Sequence, residues 1–204
     1  MILAIVAGFL IGSLPTADMI GRFRGVDLRK QGTANPGTAN ALRVMGRGAA
    51  FSILLLDLVK GATAAVFGLG IQADATGVAA AVAAVAGQVL NPWFGFRGGK
   101  GLGVTAGTAI VLWPLGLAAV LPTVALGAVA FRSAVGAIAG LLVLFGLSML
   151  WASEAWTTVW GIQPDDTLVW FAIGVCVLTI PKFVGDLTSP RRVDRPEDRL
   201  ARSR

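Results

Sequence analysis

The sequence has no histidine and one cysteine in 204 residues, and only 14% of its residues are charged. Each shortage excludes something. Without His, the commonest acid–base side chain and the commonest metal ligand are gone. No Cys/His metal cluster can be built, and neither a metal nor another cofactor is expected. Cys176 stands alone, so no disulfide framework exists; inside an apolar run it reads as a small apolar filler. Soluble domains carry roughly 25% charged residues. The low charge here, with 55% hydrophobic residues and a mean hydropathy of +0.76, defines an integral membrane protein.

At roughly 20 residues per span, the chain has room for about six to eight spans and no separate soluble domain. Apolar runs occupy Met1–Ile20, Ala49–Ile71, Val78–Leu90, Val104–Phe131, Ala134–Trp151 and Leu168–Val184. Met1–Leu14 lacks a basic flank and a small-residue cleavage site, so it reads as a retained span.

Charge placement sets the expected topology. The 17 Lys and Arg cluster in Arg22–Arg47, Arg97–Lys100 and Lys182–Arg204, with Lys60 and Arg132 standing apart. The breaks at Gln72–Thr76 and Ser153–Thr167 carry only Asp74, Glu154, Asp165 and Asp166. By the positive-inside rule, basic segments are cytoplasmic and acidic ones external. A single span over Val104–Phe131 violates this for every later segment. Splitting the run at Trp113-Pro114-Leu115-Gly116 repairs it, because Pro and Gly break helices. The expectation is an all-α polytopic protein of about seven transmembrane helices, N-terminus out and C-terminus in. Residues 1–184 form one transmembrane domain, followed by a basic cytoplasmic tail, 185–204, near anionic lipid. The 27 glycines suit close helix packing through small residues.

Three constellations carry chemistry. The first is Gln31-Gly32-Thr33-Ala34-Asn35-Pro36-Gly37-Thr38-Ala39-Asn40, followed by Arg43 and Arg47. Pro36 suits the first turn of a short helix capped by Asn35 or Thr33. Asn40, Arg43 and Arg47 would then share a face at a helix N-terminus, an arrangement that binds anions; a capped interfacial helix with snorkelling Arg is the plainer alternative. The second is Phe94-Gly95-Phe96-Arg97-Gly98-Gly99-Lys100-Gly101, after Asn91-Pro92-Trp93. Its glycines offer amide donors around a point charge, suited to phosphate. The spacing is not that of a nucleotide P-loop, and a tight turn with interfacial anchors would look similar. The third is Asp57 and Lys60, three apart on one helix face and able to pair at membrane depth. Asp18 lies within reach of the same region.

These residues resemble the bacterial acyl-phosphate:glycerol-3-phosphate acyltransferase family. That family's Gly-Ser-[Ile/Leu]-Pro-[Thr/Ser] element matches Gly12–Thr16. Its His-Gly-Ser-Gly-Asn-Pro-Gly-Ala-Thr-Asn-x-x-Arg loop matches Gln31–Arg43, and its Leu-Leu-Asp-Leu-x-Lys-Gly matches Leu55–Gly61. Its second loop, ending Gly-Gly-Lys-Gly, matches Gly87–Gly101. The likeness is close over Gly12–Thr108 and rests on hydropathy beyond. It implies seven spans and a cytoplasmic active site on the cell inner membrane. It also implies acyl phosphate and glycerol 3-phosphate as substrates, lysophosphatidic acid as product, membrane lipids as surroundings and no nucleic-acid partner. Carried over, Thr33, Arg43 and Lys100 would be catalytic. Gly32, Asn35, Gly37, Asn40, Arg97, Gly98, Gly99, Gly101 and Asp186 would bind substrate, with the amides of Gly98, Gly99 and Gly101 around the acyl phosphate.

The chain departs from the pattern in several places. Gln31 and Gln88 replace His, and Ala34 replaces Gly. The C-terminal His-x-x-Asn-Ile-x-Arg-Leu becomes Phe183-x-x-Asp186-Leu187-x-Ser189-Pro190. Gln hydrogen-bonds but carries no titrating proton. Asp186 puts a charge where the family holds a neutral amide. A catalytically impaired scaffold or lipid-binding relative, or an acyltransferase with another acceptor, therefore stands as the alternative.

Overall fold

A computed structural model describes residues 1–130, 133–154, 160–163 and 165–188. Arg132 and residues 189–204, including Ser189, Pro190 and most of the basic tail, lie outside them. Nine α-helices make up the described chain: α1 (Ile2–Ser13), α2 (Thr16–Phe23), α3 (Thr38–Val44), α4 (Arg47–Ile71), α5 (Asp74–Val89), α6 (Leu102–Leu112), α7 (Pro114–Ala130), α8 (Ser133–Glu154) and α9 (Asp166–Thr188). A 3₁₀ turn, Pro92–Phe94, follows α5. Five stretches are long and apolar enough to cross a membrane: Ile2–Phe23, Arg47–Ile71, Asp74–Phe94, Ser133–Glu154 and Asp166–Thr188. α6 and α7 are the two shorter apolar helices.

The expected split of the 28-residue run is present. Pro114 has no N–H and disfavours helical backbone in the residue before it; Trp113 accordingly adopts φ −157°, ψ 71°. At 11 residues, α6 is about 16 Å long, well short of a hydrocarbon core of about 30 Å. Its C-terminal end is closed from elsewhere. The Leu112 carbonyl accepts the Ile162 N–H at 2.8 Å. Trp113 is buried and meets Trp151 edge to face at 5.6 Å between centroids. The Gln163 N–H donates to Asp74 Oδ2 at 3.1 Å. The start of α5, the α6–α7 break and segment 160–163 therefore gather at one end of the bundle.

Glycine sets how closely the helices approach. A Cβ on Gly12 would lie 1.9 Å from the Ala84 carbonyl oxygen, and one on Gly87 2.1 Å from that of Phe9, so α1 and α5 touch backbone to backbone. α4 and α6 do the same: Cβ atoms on Gly61 and Gly107 would lie 2.3 and 2.1 Å from the Val104 and Leu58 carbonyl oxygens. This is the small-residue packing expected of membrane helices. Phe51, Phe67, Leu126 and Trp170 point outward and are exposed, as a lipid-facing surface requires.

The first apolar run is the expected span, Ile2–Phe23, with a break at Leu14–Pro15 between α1 and α2. Two local expectations, the shared Arg43/Arg47 face and the side-chain cap of α3, fail. Arg43 and Arg47 do not share a helix: α3 ends at Val44, Gly46 turns the chain at φ +83°, and Arg47 opens α4. The α3 N-cap is Gly37, in extended conformation with no side-chain cap, so Pro36 precedes the helix and neither Thr33 nor Asn35 caps it.

Candidate functional site

Pro15 frees the last carbonyls of α1, and the site grows from how they are satisfied. The Ser13 carbonyl accepts Asn91 Nδ2 at 2.8 Å. The Leu14 carbonyl accepts Lys60 Nζ at 3.0 Å. Lys60 also donates to Gln88 Oε1 at 2.6 Å and pairs with Asp57 Oδ1 at 2.9 Å. Asp57 Oδ1 in turn accepts the Thr16 hydroxyl at 2.9 Å. Of these five side chains all but that of Thr16 are buried, and an ionised pair at that depth needs this many partners. The expected Asp57–Lys60 pair is thus real and anchors three helices. Gln88, where the resemblance expects His, presents a neutral carbonyl oxygen to the ammonium, a task that needs no titrating proton.

The first loop is fixed from below. Leu28 is buried with Ala17, Ala41, Ala50 and Ile53 in a small second core. Asn40, also buried, accepts the Thr33 N–H at 2.8 Å and donates to the Leu28 and Gln31 carbonyls at 3.0 Å each. Both donors are used, so Asn40 shapes the loop and does not offer its amide N–H groups to a ligand. Gly32 sits at φ +60°, and a Cβ there would fall 2.2 Å from Asn40 Oδ1. Ala34 holds φ +57°, a conformation that glycine adopts freely and alanine does not.

The second loop is tied to the first by Arg29, which sequence reasoning passed over. Its guanidinium grips Asp18 with both branches, Nε to Oδ1 at 2.7 Å and Nη2 to Oδ2 at 2.9 Å. Nη1 donates to the Arg97 carbonyl at 2.5 Å, and the group lies 3.7 Å over the Phe94 ring. Asp18 does reach the region, through Arg29. The available signal was Asp18 itself, an acid ahead of a run of basic residues.

These contacts enclose a small polar cleft where Thr16 and Asp18, Arg29 and Pro36, Gln88 and Asn91, and Gly99 meet. Gly99 is buried there, its Cα facing Gln88 Nε2 and the Pro36 carbonyl. The glycines of the second loop divide their tasks. The Gly98 N–H is bound to the Val89 carbonyl at 3.1 Å, which removes it from the expected phosphate cradle. Gly101, at φ +82°, is the N-cap of α6. Lys100 forms an ion pair with Asp186 near the end of α9 and lies 5.0 Å from the Phe183 ring centre. Asp186 therefore meets a cation, which explains how a carboxylate is tolerated there. Arg43 and Arg97 carry exposed side chains. No hydrogen bond or ion pair among the described residues joins Arg43 to Lys100. Asn35 lies close to Gly37 in the first loop. Both loops and the α1–α2 break thus converge at the bundle end opposite Asp74 and Gln163, since α5 runs from one to the other.

An all-helical membrane protein with glycine-tight spans and a polar cleft between two loops is the class so defined. Residues 2–188 match the family described as Glycerol-3-phosphate acyltransferase. A glycerol-3-phosphate acyltransferase of Synechococcus sp. (strain JA-3-3Ab) is 36% identical over 152 residues, 72% of this chain and 75% of that protein. Glycerol-3-phosphate acyltransferase 1 of Deinococcus radiodurans is 35% identical over 173 residues, 83% and 86% of the two chains. The alignment with another Synechococcus relative (strain JA-2-3B'a(2-13)), 40% identical, spans 59% of that protein. The fold matches the crystal structure of PlsY, an integral membrane glycerol 3-phosphate acyltransferase in its glycerol 3-phosphate form, with a TM-score of 0.80 at 20% identity over 95% of this chain and 96% of that one. The chain belongs to the glycerol-3-phosphate acyltransferase family.

Proposed function

We propose that this protein transfers a fatty acyl group from acyl phosphate to the sn-1 hydroxyl of glycerol 3-phosphate, giving lysophosphatidic acid and phosphate, at the cytoplasmic face of the cell membrane. The observation that carries this reading is the convergence of the Gly32–Asn40 loop and the Gly-Gly-Lys-Gly loop on one polar cleft beside apolar, lipid-facing helices. A site of that kind suits a donor with an acyl chain and an acceptor with a phosphate.

The chemistry fits a chain without His. In acyl phosphate the carbonyl is already activated, and the leaving group is phosphate. The acceptor hydroxyl oxygen attacks the acyl carbon, and the bond from that carbon to the bridging phosphate oxygen breaks. The hydroxyl proton passes to a phosphate oxygen, and phosphate leaves. Positioning and charge stabilisation can then supply most of the acceleration. Arg43 and Lys100 hold phosphate oxygens, Arg97 adds positive charge at the rim, and the Thr33 hydroxyl orients the acceptor. Gly99 and Gly101 let the backbone approach, Gly37 lets α3 begin beside it, and Gly32, Asn35 and Asn40 maintain the loop. Asp57 and Lys60 are committed to each other and serve as framework.

The test offers purified protein palmitoyl phosphate and glycerol 3-phosphate and follows phosphate release and lysophosphatidic acid, with acyl-CoA as the comparison donor. Acyl phosphate should support turnover and acyl-CoA should not. Arg43→Ala and Lys100→Ala should each lower kcat/KM at least tenfold. Unchanged activity in both would overturn the assignment, and absent wild-type turnover would favour the scaffold alternative.

A further inference from the structure

Between Asp166 and Asp186, α9 carries a single charged residue, Lys182. It is half-buried and shares an inward stripe of the helix with Val175, Thr179 and Asp186. That stripe meets the second loop: a Cβ on Gly101 would lie 3.3 Å from Thr179 Cγ2, and Lys100 pairs with Asp186. Lys182 therefore lies about one helical turn from each of two residues that touch the loop. No hydrogen bond or ion pair among the described residues engages it. The other described Lys and Arg residues are paired with a carboxylate or exposed. The acid one turn along its own face, Asp186, is engaged by Lys100. A half-buried ammonium in an apolar span marks a ligand pathway, and its partner is an anion.

We propose that Lys182 binds the phosphate group of an amphiphile that enters from the lipid side, which in the proposed reaction is the acyl phosphate donor. The donor's identity rests on that reading; the phosphate site does not. Depth separates the two substrates. Arg43 and Arg97 are exposed on the loops, where a water-soluble phosphate arrives. Lys182 lies within an apolar span, between exposed Pro181 and Val184 on neighbouring faces. A molecule with an acyl chain can keep that chain in lipid there and bring its headgroup to the ammonium. Charge points the same way. Two phosphates meet in the reaction, and the charge of Lys100 is already matched by a carboxylate. Lys182 supplies positive charge that no described acid offsets, and a phosphate offers it strong acceptor oxygens.

The experiment reads binding apart from turnover, with hexadecyl phosphate as a non-reacting probe. The full-length protein in neutral detergent is melted against hexadecyl phosphate, hexadecanol and inorganic phosphate, as wild type, Lys182→Met and Lys182→Arg. Hexadecyl phosphate should protect the wild type more than hexadecanol does. Lys182→Met should raise its apparent Kd about tenfold, the scale of one hydrogen bond to a charged group. Lys182→Arg should keep most of the protection, and the response to inorganic phosphate should change little in either variant. In turnover, Lys182→Met should raise KM for palmitoyl phosphate and leave KM for glycerol 3-phosphate unchanged. Equal losses for hexadecyl phosphate and hexadecanol would mean a side chain that only snorkels to the interface, and would overturn the proposal. An equal loss for inorganic phosphate would overturn the lipid-side source. If Lys182→Met does not fold, Lys182→Gln is read in the same way. Absent acyl transfer with the hexadecyl phosphate results intact would sink the proposed reaction and leave the phosphate site standing. Normal transfer with donor KM and probe binding unchanged in Lys182→Met would sink the site alone.

Discussion

Lys60 donates from Nζ to the carbonyl of Leu14, 46 residues earlier, at 3.0 Å. Pro15 disfavours helical backbone in the residue before it, so Leu14, at φ −52° and ψ 123°, leaves the helix and its carbonyl stands outside the α1 ladder; the same ammonium binds Asp57 and Gln88. Lys60→Met should destabilise the protein by about 3–5 kcal/mol, because Asp57 is left buried and unpaired. Adding Asp57→Asn should recover more than half of that loss. Thermal unfolding in detergent measures both, and a double variant no better than the single would show that the pair is not the unit.

The first loop depends on two left-handed residues of opposite tolerance. Gly32→Ala should cost about 2–3 kcal/mol, since it adds strain at φ +60° and drives a methyl into Asn40 Oδ1. Ala34→Gly should stabilise by ~0.5 kcal/mol, the relief at φ +57° being partly offset by a more flexible unfolded chain. Paired melting curves decide it; equal effects of one sign would show that loop strain is not the cause.

Arg29 joins the two loops, so its loss should be felt across them. Arg29→Ala removes the two-branched grip on Asp18 and the bond to the Arg97 carbonyl. It should cost about 2 kcal/mol, the scale of charged hydrogen bonds. Amide exchange should quicken in 95–101 as well as around residue 29. Arg29→Lys should fall between, keeping a charge but not the planar fork. Exchange that quickens around residue 29 alone would mean that the second loop stands by itself.

The helices, the Trp113–Pro114 split and the Asp57–Lys60 pair were legible in the sequence because each has a local cause: an apolar run, a missing N–H, a three-residue spacing. The assembly of the site was not. Nothing near Arg29 reveals that Asp18 and the Arg97 carbonyl will meet it, since those contacts span 11 and 68 residues. Asn40 looked like a ligand because polar side chains in a Gly-rich loop suit one. Its actual partners are backbone groups whose positions exist only once Leu28 is buried. Gly98 looked like a free amide for the same reason, until the end of α5 claimed it.

Orientation in the membrane yields the last prediction. The contacts of Asp74 with Gln163 and of Leu112 with Ile162 bind three connections into one end of the bundle. Whatever the orientation, residues near 74, 113 and 163 must then report the same side. Charge selects which side: this end holds Asp74 and Asp165 and the opposite end holds Arg22, Arg29, Arg97 and Lys100, so it should be external. Reporter fusions at Gly116 and Glu154 should both read external and one at Gly95 cytoplasmic. Disagreement between Gly116 and Glu154 would refute the bundle end itself. Agreement on the cytoplasmic side would refute only the orientation, and would move the cleft, with the reaction proposed for it, to the outer face.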